Sequence, residues 1–241
     1  MISVCMATFN GEKYIKEQVD SILKQLGSED EIVVSDDGSS DNTIKILKSY
    51  NDSRIKIFNH QGKINPVYSF NHVGNVMYNF ENALKNAKGD YIFLSDQDDV
   101  WCDNKVKLCV EGLKDNALVL TNFSITDEKL NVLQEKYYTK CPASKSNFKN
   151  ILTPPFAGCV MAFRKETLEK ILPFPDSVWL HDLWIGLVIN KYWNVGFIDE
   201  PLILHRLNES NTSTWGRKKS NNSLFIKMKY RWCNLVNINR R

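Results

Sequence analysis

Three short apolar runs in this chain each stop at a polar cluster, and that arrangement limits the fold more than any other feature. Ile2-Ser3-Val4-Cys5-Met6-Ala7 leads into Thr8-Phe9-Asn10, Glu31-Ile32-Val33-Val34-Ser35 into Asp36-Asp37, and Tyr91-Ile92-Phe93-Leu94 into Ser95 and Asp96-Gln97-Asp98-Asp99. Behind the first run an Asn10-Gly11 turn precedes Ile15, Val19, Ile22, Leu23 and Leu26 at helical spacing. Behind the second, the turn through Ser40 opens a helix carrying Ile44, Ile46 and Leu47, with Asp41 as its N-cap. Arg54 to Phe58 reads as a third strand, and a helix through Phe80 to Ala87, ended by Gly89, precedes the run at Tyr91. Strands alternating with helices predict an α/β domain with a mainly parallel sheet, and such sheets bind ligands beyond the carboxyl ends of their strands. The three polar clusters are thereby expected on one rim.

The second half is less regular. Strands are expected at Ala117–Phe123, Cys159–Phe163, Val195–Ile198 and Pro201–Leu204, with a helix around Leu183–Tyr192, and the acceptor side of a site is placed here. At 241 residues the chain has room for one large α/β domain and a tail. The expected division is a domain over 1–212, with halves 1–101 and 102–212, followed by a tail over 213–241.

Charge separates the tail from the rest. No acid follows Glu209, whereas Arg217, Lys218, Lys219, Lys227, Lys229, Arg231, Arg240 and Arg241 all do, and setting those eight aside leaves 23 basic against 28 acidic residues. A basic tail on an acidic body is not the surface of a nucleic-acid-binding domain. Ser223 to Trp232 interleaves aromatics with bases, as an interfacial helix does, and this predicts contact of 217–241 with an anionic inner-leaflet membrane surface; a helix packed on the domain with a solvated basic edge is the alternative. The six cysteines form no CxxC pair or zinc-type cluster, no run is long enough to span a bilayer, and Met1 enters a strand pattern directly. A cytoplasmic location is the expectation.

Asp96, Asp98 and Asp99 crowd within four positions after an apolar strand, where mutual repulsion requires a cation or abundant water. Hard oxygen ligands of this kind suit Mg²⁺ or Mn²⁺; the other reading is an exposed Asx-rich turn. Asp36 either caps its own turn or accepts a hydrogen bond from a pyrimidine base. Asp182 either favours a helix N-terminus electrostatically or serves as a general base. Asp96-x-Asp98 also resembles the nucleophile motif of haloacid-dehalogenase-type phosphatases, although the further Ser/Thr, Lys and acidic pair of that family form no convincing set here. A non-catalytic nucleotide-sugar-binding module is the third reading.

Taken in order, MATFNGEKYIKEQVDSIL, SDDGSSDNT, NFENAL, FLSDQDDVW, GCVMAFRKE, WLHDLWIGLV and EPLILHR resemble the family 2 glycosyltransferases, in the branch of rhamnosyltransferase-like envelope polysaccharide enzymes, over about residues 1–212. The resemblance implies a GT-A fold, a three-layer α/β/α domain with a short helical C-terminal tail. It implies that Thr8, Asn10 and Asp36 surround a nucleoside, that Asp96 contacts ribose or sugar, and that Asp98 holds the metal with Asp99 in support. It also implies that Asp182 is the base of an inverting displacement and that Arg206 contacts the diphosphate. The implied donor is a UDP- or dTDP-sugar, and the implied acceptor a glycan or lipid-linked hydroxyl in surface polysaccharide synthesis. Where many relatives carry Tyr-Arg-Gln-His, this chain has His205-Arg206-Leu207-Asn208, so Asn208 occupies the family's histidine position.

Overall fold

The structure is a computed structural model that describes residues 1–60, 73–178, 180–208 and 224–241. Strands β1 (Ile2–Thr8), β2 (Glu31–Asp36), β3 (Ile55–Asn59) and β4 (Tyr91–Ser95) pair in parallel in the order β3-β2-β1-β4. Helices α1 (Ile15–Leu23), α2 (Thr43–Ser49) and α3 (Val73–Asn86) connect them. β2 is buried along its whole length, which is why it reads as a nearly continuous apolar run. In-register pairing of Thr8 with Asp36, and of Met6 with Ser95, brings the three polar clusters to the same edge.

The sheet continues through β8 (Met161–Arg164), β6 (Leu118–Thr126), β9 (Val195–Arg206) and β5 (Val100–Trp101), with β7 (Val132–Gln134) beside β6. β8 runs antiparallel to both β4 and β6, while β6 and β9 are parallel. This reversal has a functional result. With Phe93 opposite Ala162, the 3₁₀ turn Gly158–Val160 that precedes β8 lies just past the carboxyl end of β4, beside the aspartates. The two expected strands at 195–198 and 201–204 are one strand, bent where the register with β6 shifts around Asn122, and Pro201 sits within the irregular part. α4 (Lys105–Gly112), α5 (Asn147–Leu152) and β7 lie where no element was expected.

α6 (Leu168–Ile171) and α7 (His181–Tyr192) pack together, and Trp184 Nε1 donates to the Ile171 carbonyl at 3.0 Å. Leu183 to Ile189 of α7 are all buried, so the helix is apolar all round because it is enclosed. α8 (Leu224–Arg240) packs on α5 and α7, with Asn234 and Ile238 inward and Lys191 Nζ donating to the Ile238 carbonyl at 2.7 Å. The rest of the expected tail, including Arg217, Lys218 and Lys219, lies outside the described residues, as does Trp179.

Gly186 lets α7 reach its seat: a Cβ there would lie 2.3 Å from Cγ of the buried Phe156 ring. Helix propensity alone would make Gly186→Ala stabilising by about 1 kcal/mol. The steric clash opposes this, and overpacking costs about 1–3 kcal/mol. A lowered unfolding temperature in a thermal melt is expected for Gly186→Ala; a raised one would show that the ring has room to move.

Candidate active site

The β1 and β2 ends form one hydrogen-bonded corner. Asp36 Oδ2 accepts from Thr8 Oγ1 at 2.8 Å and from Ser39 Oγ at 2.6 Å, while its Oδ1 accepts from the Gly38 and Ser39 amides at 3.1 and 2.8 Å. The carboxylate therefore ties its own turn to β1, and both oxygens have protein partners. Asn10 adopts φ 48°, in the left-handed region that Asn tolerates, and its Oδ1 accepts from the Ser40 amide at 2.9 Å. Gln97 clasps the same corner from the far side, with Oε1 accepting from the Phe9 amide at 2.9 Å and Nε2 donating to the Phe9 carbonyl at 3.0 Å. A Cβ on Gly11 would lie 2.5 Å from Gln97 Oε1, so the side chain closes over that glycine. Gln97, flanked by more conspicuous aspartates, was not singled out by its residue type.

The three aspartates face different surroundings. Asp99 is fully buried; its Oδ1 accepts from the Arg206 amide at 3.2 Å and lies 2.9 Å from His205 Nδ1, while its Oδ2 has no hydrogen-bond partner among the described residues. Asp99 thus points beneath the rim, not out of it. Burial works against charge on His205, but the charge and hydrogen bond of Asp99, with the charges of Asp96 and Asp98, together outweigh it and hold the imidazole up to about 9. Asp98 is half-buried, and its Oδ2 accepts from Asn208 Nδ2 at 2.7 Å. Burial and then Asp99 push Asp98 up to about 6, against that hydrogen bond. Asp96 is half-buried and held well above the usual carboxylate range by desolvation and by the charges of Asp99 and Asp98, with Asp182 adding a smaller push.

Arg206 turns away from the cluster's open side. Its Nε donates to the Asp98 carbonyl at 3.0 Å, its Nη atoms bond the Glu128 carbonyl and the Glu17 carboxylate, and its guanidinium stacks 4.5 Å over Tyr14. It braces the backbone of Asp98. His205 and Arg206 point to opposite faces, as strand alternation requires. Cys159, from the turn before β8, completes a buried group with Asp99 and His205 in which one ligand-type atom from each lies within 4.8 Å of the others. Its thiol is pushed far up by burial and by the charges of Asp99 and Asp96.

Asp182 stands in the first turn of α7, half-buried, with Oδ1 accepting from the Leu183 amide at 2.6 Å and a further bond from the Gly158 amide. Burial raises it to about 6 despite those amides. At neutral pH such a carboxylate is mostly ionised yet close to the value at which proton abstraction works best. Beside it, His181 stacks on Phe80 with ring centroids 4.0 Å apart, and burial drives it down to about 3, so it is neutral. A Cβ on Gly158 would lie 2.8 Å from His181 Nε2, so that turn must be glycine for α7 to approach the aspartates. The cleft lined by Asp90, Leu113, Arg164 and Lys165 lies at the other end of β4, away from this arrangement.

A mixed α/β sheet with a hydrogen-bonded polar corner at the ends of β1 and β2, an acidic turn after β4 and a desolvated carboxylate near that turn is an arrangement of the GT-A class of transferases. The chain matches the model of glycosyl transferase family 2 over residues 3–172 and belongs to that family. It is 30% identical over 223 residues to a dTDP-rhamnosyl transferase, RfbG, of Shigella flexneri, covering 86% of this chain and 72% of that protein. It is 29% identical over 218 residues to a UDP-Glc:alpha-D-GlcNAc-diphosphoundecaprenol beta-1,3-glucosyltransferase, WfgD, of Escherichia coli, covering 89% and 80%. The fold matches the crystal structure of S. aureus TarS 1-349 in complex with UDP-GlcNAc with a TM-score of 0.71 at 20% identity, covering 98% of this chain and 66% of that one. The chain is a glycosyltransferase, and the phosphatase and binding-module readings give way to that membership.

The Asp99 and His205 pair makes stability depend on pH. The folded imidazole titrates above its ordinary value of 6.5, so its contribution is complete below 6.5 and is lost as pH rises through about 9. The urea midpoint is expected to fall across that window by the equivalent of roughly 3 kcal/mol. His205→Gln should flatten that slope and, by leaving Asp99 buried with a weaker partner, lower stability by about 3–5 kcal/mol. An unaltered slope in this variant would remove the pair as its source.

Proposed function

We propose that this chain is an inverting, metal-dependent glycosyltransferase that moves a hexosyl or deoxyhexosyl group from a UDP- or dTDP-sugar to a hydroxyl of a glycan or lipid-linked acceptor in surface polysaccharide synthesis. The observation that carries the reading is that Asp182, desolvated and raised to about 6, packs against Gly158 in the turn just past the end of β4, where the aspartates stand. The relatives' names supply the donor chemistry: a dTDP-rhamnosyl transferase and a UDP-Glc-dependent glucosyltransferase acting on a diphosphoundecaprenol-linked sugar.

The corner built by Thr8, Asn10 and Asp36 receives the nucleoside. Because Asp36 is already engaged with Thr8 and Ser39, its part is to keep the corner in shape as well as to present an acceptor edge to the base. Asp96, half-buried at the end of β4, faces the ribose or sugar. The donor set fits a hard divalent cation, since Asp96 and Asp98 are both raised by burial and mutual repulsion, a strain that Mn²⁺ or Mg²⁺ relieves. Asp98 would hold the ion, with Asp99 bracing the turn from below. When bound, such an ion neutralises charge developing on a departing nucleoside diphosphate. Arg206 supports the diphosphate site by holding the Asp98 backbone.

Asp182 takes the proton of the acceptor hydroxyl as the hydroxyl oxygen forms its bond to the anomeric carbon. The bond from that carbon to the diphosphate oxygen breaks on the opposite face, and the configuration inverts. The Gly158 and Leu183 amides hold the carboxylate in place through the step.

General-base assistance is worth on the order of 10²–10⁴ in rate. Asp182→Asn is therefore expected to keep donor affinity, measured by calorimetry, while transfer to acceptor falls by a factor of that order. Near-normal turnover would exclude Asp182 from proton transfer. Asp98→Ala is expected to abolish the Mn²⁺-dependent part of nucleotide binding in the same calorimeter, and an unchanged metal dependence would overturn its role.

A further inference from the structure

Four large apolar side chains stand in solvent on two adjoining helices. Phe148 and Leu152 of α5 are 59% and 42% exposed, and Met228 and Trp232 of α8 are 61% and 67% exposed. In each pair the two residues are four apart, which puts them on one face of their helix. Arg231 joins the helices by donating from Nη2 to the Leu152 carbonyl at 2.9 Å, which satisfies a carbonyl at the end of α5. Leu152 is thereby brought beside the turn of α8 that carries Met228 and Trp232. Single exposed apolar residues need no explanation, but four on two packed helices make a patch that water disfavours.

The charge around the patch has one sign. No aspartate or glutamate occurs between Glu135 and Glu166, the stretch that contains α5, and none occurs after Glu209, the stretch that contains α8. Lys145 and Lys149 are exposed around α5, and Lys229 is exposed between Met228 and Trp232. Asp176 lies by the opposite end of α8, where Asn237 bonds the neighbouring Ser177 at 2.7 Å. An apolar strip bearing Trp and Phe with lysines at its margins matches a bilayer surface, where aromatic rings enter the headgroup boundary and ammonium groups meet anionic lipid. Among the described residues no helix is long and apolar enough to cross a membrane, so the contact is one of lying on the surface.

We propose that the joint α5 and α8 face is a docking surface for an anionic lipid bilayer, with Phe148, Leu152, Met228 and Trp232 inserted at the headgroup level and Lys145, Lys149 and Lys229 against the lipid charges. The surface involves none of the residues assigned to donor binding or proton transfer, so it stands or falls apart from them.

The test is vesicle flotation of the purified protein with phosphatidylglycerol-rich and with pure phosphatidylcholine vesicles, at low and high salt. Binding is expected to the anionic vesicles and to weaken with salt. Phe148→Glu combined with Trp232→Glu should abolish it. Lys149→Glu combined with Lys229→Glu should reduce it on the order of tenfold or more, since each base near an anionic surface strengthens partition severalfold. All four substitutions are at exposed positions, and unchanged thermal melts and calorimetric nucleotide binding confirm that fold and donor site are intact. Equal partition to both vesicle types, or to neither, overturns the proposal. So does a dimer, detected by sedimentation in the absence of lipid, that the Phe148→Glu and Trp232→Glu change dissolves, since the face would then belong to a second copy of the chain.

Discussion

A buried carboxylate paired with a buried imidazole joins the two halves of this enzyme. Asp99 ends the acidic turn after β4, and His205 comes from the last strand of the sheet, 106 positions later. A fully buried carboxylate without a partner is costly, so the turn cannot settle until β9 is in place. Arg206 reinforces the dependence from the other face of the same strand by holding the Asp98 carbonyl. Two successive residues of one strand, pointing in opposite directions, thereby set both the side chain of Asp99 and the backbone of Asp98. The geometry presented to the donor by the first half is decided by packing in the second.

The electrostatics follow from that construction. Three carboxylates share a short turn, and among the described residues His205 acts on them from beneath and Arg206 through the backbone, so burial and the charge of Asp99 still hold Asp96 and Asp98 up. Burial is the first cause at all three raised carboxylates; at Asp96 and Asp98 the charge of Asp99 adds to it, whereas at Asp182 burial acts against the Leu183 and Gly158 amides. Of these causes, the repulsion from Asp99 is the one that a counter-charge at the turn relieves directly. A cation held at the turn would therefore relax Asp96 and Asp98 more than Asp182, leaving Asp182 near the value that its proposed part as proton acceptor requires.

Much of this could be read in the sequence where the signal is local. The strand and helix alternation through residue 95, the rim formed by Thr8, Asp36 and Asp96, and the opposite facing of His205 and Arg206 all follow from periodicity and strand pleat. Asp36 shows the limit of residue type. Its two readings, turn cap and base contact, are not exclusive, and only the bonds to Thr8 and Ser39 reveal how much of the carboxylate is already used. Gly158 and Cys159 carried no local sign of their place beside the aspartates, because that place depends on β8 entering antiparallel between β4 and β6. Gln97 was obscured by its neighbours, and the single bent β9 was obscured by Pro201, which interrupts a strand pattern without ending the strand. Each of these is a tertiary consequence with no short-range signature.

α7 connects the chemistry to the outer surface. Its first turn carries Asp182, Asn147 of α5 bonds its Leu187 carbonyl at 2.9 Å, and its Lys191 bonds the Ile238 carbonyl of α8 at 2.7 Å. The helix is enclosed from Leu183 to Ile189, with Gly186 against Phe156, so it can neither tilt nor slide without disturbing the core. A surface held by α5 and α8 is therefore held at a set distance and angle from Asp182. If the helices meet a bilayer, the cleft between Asp182 and Asp96 takes a single orientation to the lipid plane, and an acceptor anchored there reaches the base by lateral diffusion instead of by capture from solution. A carboxylate of modest basicity gains from such an arrangement, because restricting the approach of the hydroxyl supplies part of the rate that proton abstraction does not.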